Sequence, residues 1–448
     1  MRPLSAAPER FDVAVVGGGA AGIAAAVAAA GCGARTLLLE RASTLGGNVS
    51  QALVHTICGL YLAAGSGEAV PANPGFPQRF AAQLRRAAAA GDPERVGRVW
   101  VLPTDPPRVA AAAVRICEAE PGLELRLGHE LVAADLATAG AAPQRLRVRR
   151  PGGAELEVAA GVVVDASGDA VAAALGGAAT ETADPGEEQL PSYIFRLANV
   201  DTTALQELQG FGRLHVTRAV AGAVRHGALP DGCEAVLVRP SFEAGRIYVT
   251  LNLPRASLRG GSPLETGSSP ELRARARAAA EQVVAFLRHT RPAFEKCRVD
   301  AWPERVGVRE TRRVIGRHTV TGDDVRAGRR RDDEVALSTW PIELWQDHRR
   351  VHLEHPAGPC SIPLGALVSR SHSRLAMAGR CLGADREALG ALRVLGAALA
   401  SGEAAGTAAA LAADAGASLA EVAPERVRHQ ILERAAGAPD ASRQASIP

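Results

Sequence analysis

The segment FDVAVVGGGAAG, residues 11–22, constrains the fold of this chain more than any other stretch. FDVAVV has the continuous apolar character of a buried parallel strand, and GGGAAG reads as a turn. IAAAVAAAGCGA continues as a helix of small residues that Gly31 and Gly33 end, and RTLLLE follows as a second strand. This order sets up a right-handed crossover in a parallel sheet. The sequence therefore predicts an α/β fold with a Rossmann-like domain.

The glycines of this turn have the spacing Gly17-x-Gly19-x-x-Gly22. Because glycine has no Cβ, the backbone can approach a pyrophosphate, and the helix N-terminus offers unpaired N–H groups and a partial positive charge. Glu40 ends the second strand 18 residues after Gly22, where its carboxylate can accept a hydrogen bond from a ribose hydroxyl. The unit indicates a bound dinucleotide, but it does not separate NAD from FAD.

A second motif follows directly, Arg41-x4-Gly46-Gly47-x-x-Ser50. It resembles the second glycine pair of FAD proteins of the glutathione-reductase type. RVGVRETRRVIG, IPLGALV and RLAMAGRCLGADREALGALRVLGAALASGEAAGTAAALA are similar to the FAD-dependent oxidoreductases related to the fumarate-reductase flavoproteins. The resemblance covers roughly residues 11–62, 160–170, 303–325 and 360–413, and it implies FAD as a resident cofactor.

The same resemblance implies which residues contact FAD. The glycine turn and the second glycine pair would hold the ADP and ribityl parts, and Val132 would contact adenine through its backbone. The segment that starts at Arg393 would line the pyrimidine edge of the flavin, where the N-terminus of the next helix would stabilise an anionic reduced flavin. The implied contacts are Gly17, Gly19, Ala20, Ala21, Gly22, Glu40, Arg41, Gly46, Gly47, Asn48, Ser50, Val132, Gly168, Asp169, Gly379, Arg380, Arg393, Val394, Leu395 and Gly396.

The remaining patterns divide the chain into domains. From Leu123 to Asp165, LELRL, QRLRVRR and AELEV predict a small antiparallel β-meander that ends in the buried strand VVVDASGD. Asp105 and the two prolines after it predict the start of a helix, and a longer helix is predicted from Pro270 to His289. We predict an FAD-binding domain, an inserted α+β substrate domain and a C-terminal tail. Their bounds are 9–184 and 359–424 for the first, 185–358 for the second, and 425–448 for the tail.

Three side chains are candidates for catalysis. His55 lies in an apolar segment that the resemblance brings close to the flavin ring. It is a candidate base or hydrogen-bond donor, with a core histidine or a covalent flavin link as alternatives. Arg309 in GVRETRRVIG is a candidate clamp for an anionic substrate group, unless Glu310 and Arg313 form a purely structural ion-pair set with it. Arg386 stands where relatives often carry histidine and is the third candidate.

The composition limits the possible partners. The chain has 51 basic and 48 acidic residues, so it has no broad field of one sign that would hold nucleic acid or an anionic membrane. Its 7 cysteines are scattered without a CxxC pair, which fits a reducing compartment and an expected cytoplasmic location. His348, His352 and His355 form HxxxHxxH, which on a helix would share one face. No second cluster completes such a site, so we expect no metal.

The sequence contains a single G-x-G-x-x-G unit, so we do not expect a separate NAD(P)H domain. We interpret the chain as an FAD-dependent dehydrogenase or oxidase that moves a hydride between a small organic substrate and flavin N5. Oxygen or another acceptor would then take the electrons. An FAD-dependent monooxygenase or hydroxylase is the alternative. A tRNA-modifying flavoprotein is a third interpretation, which the balanced charge and the lone lysine, Lys296, disfavour.

Overall fold

The computed structural model describes residues 8–63, 67–140, 142–207, 212–267 and 269–436. Its first elements are β1 (Glu9–Val16), α1 (Ala20–Gly31) and β2 (Thr36–Glu40). β2 runs parallel to β1, as the sequence predicts. Most of α1 is buried, because its alanines let the helix lie close against its neighbours. The predicted α/β fold with a parallel sheet is confirmed.

The remaining elements alternate short strands and helices. The first part of the chain adds α2 (Asn48–Ala52), β3 (Thr56–Cys58), α3 (Phe76–Arg86), β4 (Glu94–Val96), β5 (Val99–Pro103), α4 (Pro106–Glu118), β6 (Leu123–Leu127), β7 (Glu130–Asp135), β8 (Gln144–Arg149), β9 (Glu155–Asp165), α5 (Val171–Leu175) and β10 (Thr180–Glu181). The middle part contains β11 (Ser192–Ala198), α6 (Thr202–Glu207), α7 (Gly212–Arg225), β12 (Val236–Pro240), β13 (Ile247–Asn252), α8 (Pro263–Thr266), α9 (Pro270–Thr290) and β14 (Arg298–Ala301). The last part contains β15 (Arg313–Val314), α10 (Gly322–Ala327), β16 (Glu334–Ser338), β17 (Ile342–Asp347), β18 (Arg350–Glu354), β19 (Cys360–Pro363), β20 (Leu375–Met377), α11 (Arg386–Leu392), α12 (Leu395–Asp414) and α13 (Pro424–Ala436).

The main sheet has the order β6-β2-β1-β9-β8-β7, and β20 also pairs with β9. The first half of β9 pairs antiparallel with β8, whereas its second half pairs in parallel with β20, so one strand serves both the meander and the parallel sheet. The prediction that LELRL belongs to the meander is wrong. That segment is β6, which pairs in parallel with β2, because alternating polarity does not specify the partner strand.

A second sheet has the order β12-β13-β11-β14. One face packs against helices α7 and α9 in a hydrophobic cluster that runs from Leu190 to Val306. Hydrophobic residues between Val320 and Val368 instead belong to a different cluster, which also contains residues of α1 and α12. Residues up to Val306 therefore pack in the cluster of the second sheet, and residues from Val320 onward pack with the first part of the chain. The predicted domain boundaries, including the one at residue 358, stay predictions.

The segment with HxxxHxxH is a β-hairpin and not a helix. β17 and β18 pair antiparallel, His348 lies in the turn, and His352 lies in β18, so the histidines share no helix face. Within the described residues, no group of three or more His, Cys, Asp or Glu side chains is placed to hold a metal ion.

The length and hydropathy of the helices bear on whether the chain could span a membrane. In the described part of the chain, no single helix is long and apolar enough to cross a membrane. α11 and α12 meet the criteria of length and composition only as a pair bent by 94° at the break between them. Most residues of α12 are buried inside the protein.

Candidate active site

The glycines of the first turn have different roles. A Cβ on Gly22 would lie 1.7 Å from the carbonyl oxygen of Gly17, and a Cβ on Gly17 would lie 2.6 Å from Cα of Ser167. These two glycines are therefore required by the fold itself. A Cβ on Gly19 would meet only Cα of Gly47, at 4.0 Å. The open space beside Gly19 is thus available to a ligand.

Two helix N-termini point into the same cleft. α1 begins after Gly19 and α12 begins after Val394, and neither N-cap residue has a side chain that accepts a hydrogen bond from the first turn. Neither helix has an acidic residue in its first turn. Ala20 at the start of α1 and Leu395 at the start of α12 both line the cleft. Each end offers free N–H groups and a partial positive charge, which suits a ligand that carries negative charge in two places.

The cleft lies between the two helix ends, the end of β2 and the turn after β9, and it spans about 1040 Å³ including the part open to solvent. Many of the predicted cofactor residues lie in its wall. They are Gly17, Gly19, Ala20, Ala21, Glu40, Arg41, Gly46, Gly47, Asn48, Gly168, Asp169, Gly379, Arg380, Arg393 and Leu395.

Several arginines line this cleft. One of them, Arg305, is not among the residues predicted from the sequence. Arg41, Arg305 and Arg380 all line the cleft. Burial, together with Arg41 and Arg380, lowers the pKa of Arg305, and its Nε is buried without a hydrogen-bond partner among the described residues. Arg380 pairs with Asp169 at 2.9 Å. A pyrophosphate would supply the acceptors and the negative charge that this cluster lacks.

Glu40 is fixed by the backbone around it. One of its oxygens accepts from the N–H of Gly18 at 2.6 Å and the other from that of Ala42 at 2.8 Å. These bonds orient the carboxylate at the edge of the cleft and leave each oxygen a further lone pair for a ribose hydroxyl.

The turn after β9 is held by a buried carboxylate. Asp165 accepts from Oγ of Ser167 at 2.6 Å and from the N–H of Ala173 at 2.9 Å. Asp169, at the end of the turn, accepts from Oγ1 of Thr311 at 2.9 Å. The turn is therefore joined to the GVRETRRVIG segment.

Five predicted cofactor residues lie outside the wall of the cleft. Gly22 lies behind the turn, and Oγ of Ser50 donates to the carbonyl of Gly47 at 3.4 Å. A Cβ on Gly396 would lie 2.2 Å from the backbone of Gly59, so this glycine serves helix packing. Leu131, next to Val132, lines the cleft, and Val394 is the N-cap of α12. Contacts of these five residues with a cofactor stay a prediction.

His55 lies under the second sheet. Its ring stacks on Tyr248 with the centroids 4.0 Å apart and the planes within 2°, and Nδ1 lies 3.2 Å from the carbonyl of Leu53. Burial, with a contribution from Arg239, lowers the pKa of His55 to about 3, so the imidazole is neutral and a weak base. Burial also raises the pKa of the nearby Cys58 thiol to about 12, which disfavours a thiolate nucleophile.

Arg309 belongs to a group of charged residues beside the cleft. It donates to Oδ1 of Asn252 at 2.8 Å and lies over the ring of Trp345 at 4.8 Å. Burial, with Arg393, lowers its pKa to about 9. Arg393 pairs with Glu343 at 3.5 Å. Although burial alone would raise the pKa of Glu343, Arg393 and two indole N–H groups hold it below its ordinary value.

Arg386 does not line the cleft. Its guanidinium lies 3.6 Å from the carboxylate of Glu310, which is fully buried and also pairs with Arg313 at 2.9 Å. The structural ion-pair set considered for this segment is therefore formed by Glu310, Arg313 and Arg386, whereas Arg309 points elsewhere.

The parallel sheet, the ligand-shaped gap at Gly19 and the cationic cleft together define a dinucleotide-binding oxidoreductase. The chain belongs to the FAD-dependent oxidoreductase family, whose model matches residues 12–431. It is therefore an enzyme with FAD as its cofactor. The cleft fits that cofactor, because unpaired N–H groups and arginines face the place where a pyrophosphate must lie.

Comparisons with individual proteins are more remote. No curated protein matches the sequence significantly. A geranylgeranyl bacteriochlorophyll reductase-like protein from Thermoplasma acidophilum is 14% identical over 95% of this chain and 83% of its own, with a TM-score of 0.44. The p-nitrophenol 4-monooxygenase from Pseudomonas putida is 14% identical over 96% and 91%, with a TM-score of 0.43. The anhydrotetracycline hydroxylase from Streptomyces rimosus is 15% identical over 95% and 66%, also at 0.43. These likenesses are too distant to assign an activity.

Proposed function

We propose that this enzyme moves a hydride between a small organic substrate and N5 of FAD, as a dehydrogenase or an oxidase. The observation that carries the proposal is the dinucleotide cleft, together with the buried stack of the neutral His55 on Tyr248. The sequence has no second glycine unit and no CxxC pair, so substrate and acceptor would each meet the flavin directly.

Different residues of the chain would bind different parts of the cofactor. The N-terminus of α1 with Arg41, Arg305 and Arg380 would bind the pyrophosphate, and Glu40 would bind the adenosine ribose. The N-terminus of α12 would face the pyrimidine edge of the ring. FAD supplies the hydride-accepting and hydride-donating chemistry when it is bound. The positive end of α12 would favour the negative charge that the ring carries after reduction.

The three candidate catalytic residues would have unequal roles. His55 is too weak a base to remove a proton from a hydroxyl group near neutral pH, so it would shape the site and exclude water. Arg309 would contribute positive charge beside the cleft and hold Asn252 in place. The position of Arg386, away from the cleft and beside Glu310, supports a structural role.

An FAD-dependent monooxygenase is the second candidate. The weak basicity of His55 favours it, because oxidation of an alcohol by hydride transfer requires removal of the hydroxyl proton. Such an enzyme would take its electrons from NAD(P)H and would insert one atom of molecular oxygen into the substrate.

Anaerobic mixing of the FAD-loaded protein with amines, amino acids, hydroxy acids and enones would test the proposal. Loss of the oxidised flavin absorbance identifies the donor class, and the rate of its return in air separates an oxidase from a dehydrogenase. The hydride-transfer proposal fails if no donor bleaches the flavin while NAD(P)H does. Incorporation of labelled oxygen into a product would then favour the monooxygenase.

A further inference from the structure

The second sheet turns one face towards the part of the protein that holds the cofactor cleft. Residues directly opposite each other on adjacent strands lie on the same face. Tyr248 on β13 is opposite both Arg239 on β12 and Arg196 on β11, so these three side chains form a row. Because Tyr248 stacks on His55, the row covers the region around that histidine.

The two arginines of this row differ in their partners. Arg196 pairs with Asp105 at 2.5 Å and with Asp300 at 2.9 Å. Among the described residues, the side chain of Arg239 takes part in no ion pair and no hydrogen bond, and its Nη1 is buried without a partner. A buried N–H group without an acceptor is costly, and more so when it carries charge. The fold therefore leaves one cation of this row without a counterion.

The neighbours of Arg239 do not compensate its charge. Arg239, Arg393 and Glu343 are the charged groups that act on the Cys58 thiol, which lies close to His55 in the chain. Arg309 also interacts with Glu343. Arg309 and Arg393 thus act on Glu343, whereas Arg239 forms no ion pair with it, so among the described residues Arg239 has no carboxylate of its own.

A cavity lies beside the second sheet, near Arg309. Leu237, which precedes Arg239 by two positions on the same face of the sheet, lines a cavity of about 1070 Å³. Asn252 and Trp345 lie in the wall of that cavity, and both contact Arg309. The cavity is also lined by the carboxylates of Asp231 and Glu234, and Arg239 is not in its wall. A small molecule there would therefore lie near Arg309 and two positions away from Arg239 on the strand.

We infer that Arg239 binds the carboxylate of the substrate, and that the enzyme acts on small organic carboxylates. This inference rests on the proposed function, since it names the substrate class of the same site. A guanidinium presents two parallel N–H groups that match the two oxygens of a carboxylate. The apolar surroundings formed by Tyr248 and the uncharged His55 suit the organic body of such a molecule.

Calorimetry on the FAD-loaded protein tests the inference without relying on turnover. The probes are acetate, benzoate and phenylacetate, each compared with its neutral amide and with inorganic phosphate. At least one carboxylate should bind more tightly than its amide, and Arg239→Met should weaken it about 10- to 100-fold. Arg298→Met, which removes an exposed arginine from β14 of the same sheet, should leave the affinity unchanged. The inference is overturned if no carboxylate outbinds its amide, if phosphate binds best, or if both variants behave alike.

A stability measurement separates a ligand-binding role from a structural one. Because Arg239 has no partner, its replacement by methionine should maintain or raise the Tm of the ligand-free protein. Arg239→Lys keeps the charge but not the bidentate geometry, so its affinity should fall between those of the wild type and Arg239→Met. A lowered Tm with unchanged carboxylate affinity would show that the arginine is structural.

The same data distinguish failure of this inference from failure of the proposed function. A carboxylate that binds through Arg239 but never reduces the flavin counts against hydride transfer and leaves the binding site in place. Donors that reduce the flavin equally well in the wild type and in Arg239→Met overturn the inference and leave the function in place.

Discussion

Glu403 lies in the middle of α12, is 2% exposed, and should make the stability of this protein depend on pH near neutrality. Its two oxygens accept from the N–H of Phe76 at 2.8 and 2.9 Å. Phe76 begins α3, whose N-cap Gly75 provides no side-chain cap, so Glu403 caps α3 from another helix. Burial raises the pKa of Glu403 to about 7, although the Phe76 N–H and Arg79, 3.9 Å away, oppose this.

The magnitude follows from the two pKa values of this carboxyl. The ordinary value is 4.5, so between pH 4.5 and about 7 the folded chain holds this proton more tightly than the unfolded chain. The free energy of unfolding therefore falls as the pH rises through this range. A tenfold change in proton affinity is worth about 1.4 kcal/mol, so ionised Glu403 costs the folded state about 3 kcal/mol above pH 7.

Glu403→Gln removes the charge and keeps an oxygen that accepts from Phe76. We expect the variant to be more stable than the wild type by up to about 3 kcal/mol at pH 8, and by less than about 1 kcal/mol at pH 5. Urea unfolding followed by circular dichroism at both pH values measures this difference. Glu118→Gln, an exposed carboxylate on α4, is the control and should show no such difference. The reasoning is refuted if Glu403→Gln follows the wild-type pH dependence.

Three further predictions concern the cofactor cleft and His55. Gly19→Val should stop FAD from copurifying, while the loss of glycine at the N-cap of α1 should lower the free energy of unfolding by no more than about 1 kcal/mol. Gly358→Val, at another glycine with open space around it, is the control and should retain FAD. Arg305→Met should raise the Kd of FAD about 10- to 100-fold in fluorescence titrations without destabilising the ligand-free protein, and an unchanged Kd would argue against a pyrophosphate contact. His55→Gln should leave the shape of the pH profile of flavin reduction unaltered between pH 5 and 8 in stopped-flow traces, because a pKa of about 3 keeps the imidazole neutral there. A limb of that profile that vanishes in the variant would contradict this.

Local signals were enough to predict much of the fold. Asp105 caps α4 through the N–H of Arg108, as the Asp-Pro-Pro sequence indicates, and α9 spans Pro270–Thr290, close to the predicted helix. The hairpin of β17 and β18 was missed, although Val351 and Leu353 alternate with His352 and Glu354 in the period of a strand. The four-residue spacing of the histidines matches one face of a helix as well, so the two local signals in this segment conflict. Sheet pairing, as for β6, depends on distant residues and has no local signal.

The candidate site shows the same division between local and distant contacts. The glycine turn and Glu40 act through their immediate neighbours in sequence, so their positions could be predicted. Arg305 reaches the cleft from a segment far along the chain, and Tyr248 reaches His55 from another sheet. No spacing rule connects such residues, because the fold brings them together only after the two sheets have packed. The contacts of Arg305 and Tyr248 could therefore be found only from the structure.

The abundance of small residues, which the sequence alone does not explain, has a consequence for the cofactor. A Cβ on Gly402 would lie 2.2 Å from the carbonyl oxygen of Ala21, and one on Gly406 would lie 2.1 Å from that of Ala25. These glycines are one turn apart on α12 and face residues one turn apart on α1, so the two helices pack backbone against backbone. Larger residues would separate the axes and shift one N-terminus relative to the other. Since both N-termini face one cleft, the close packing of α1 on α12 sets the distance between the two positive ends that a bound dinucleotide must span.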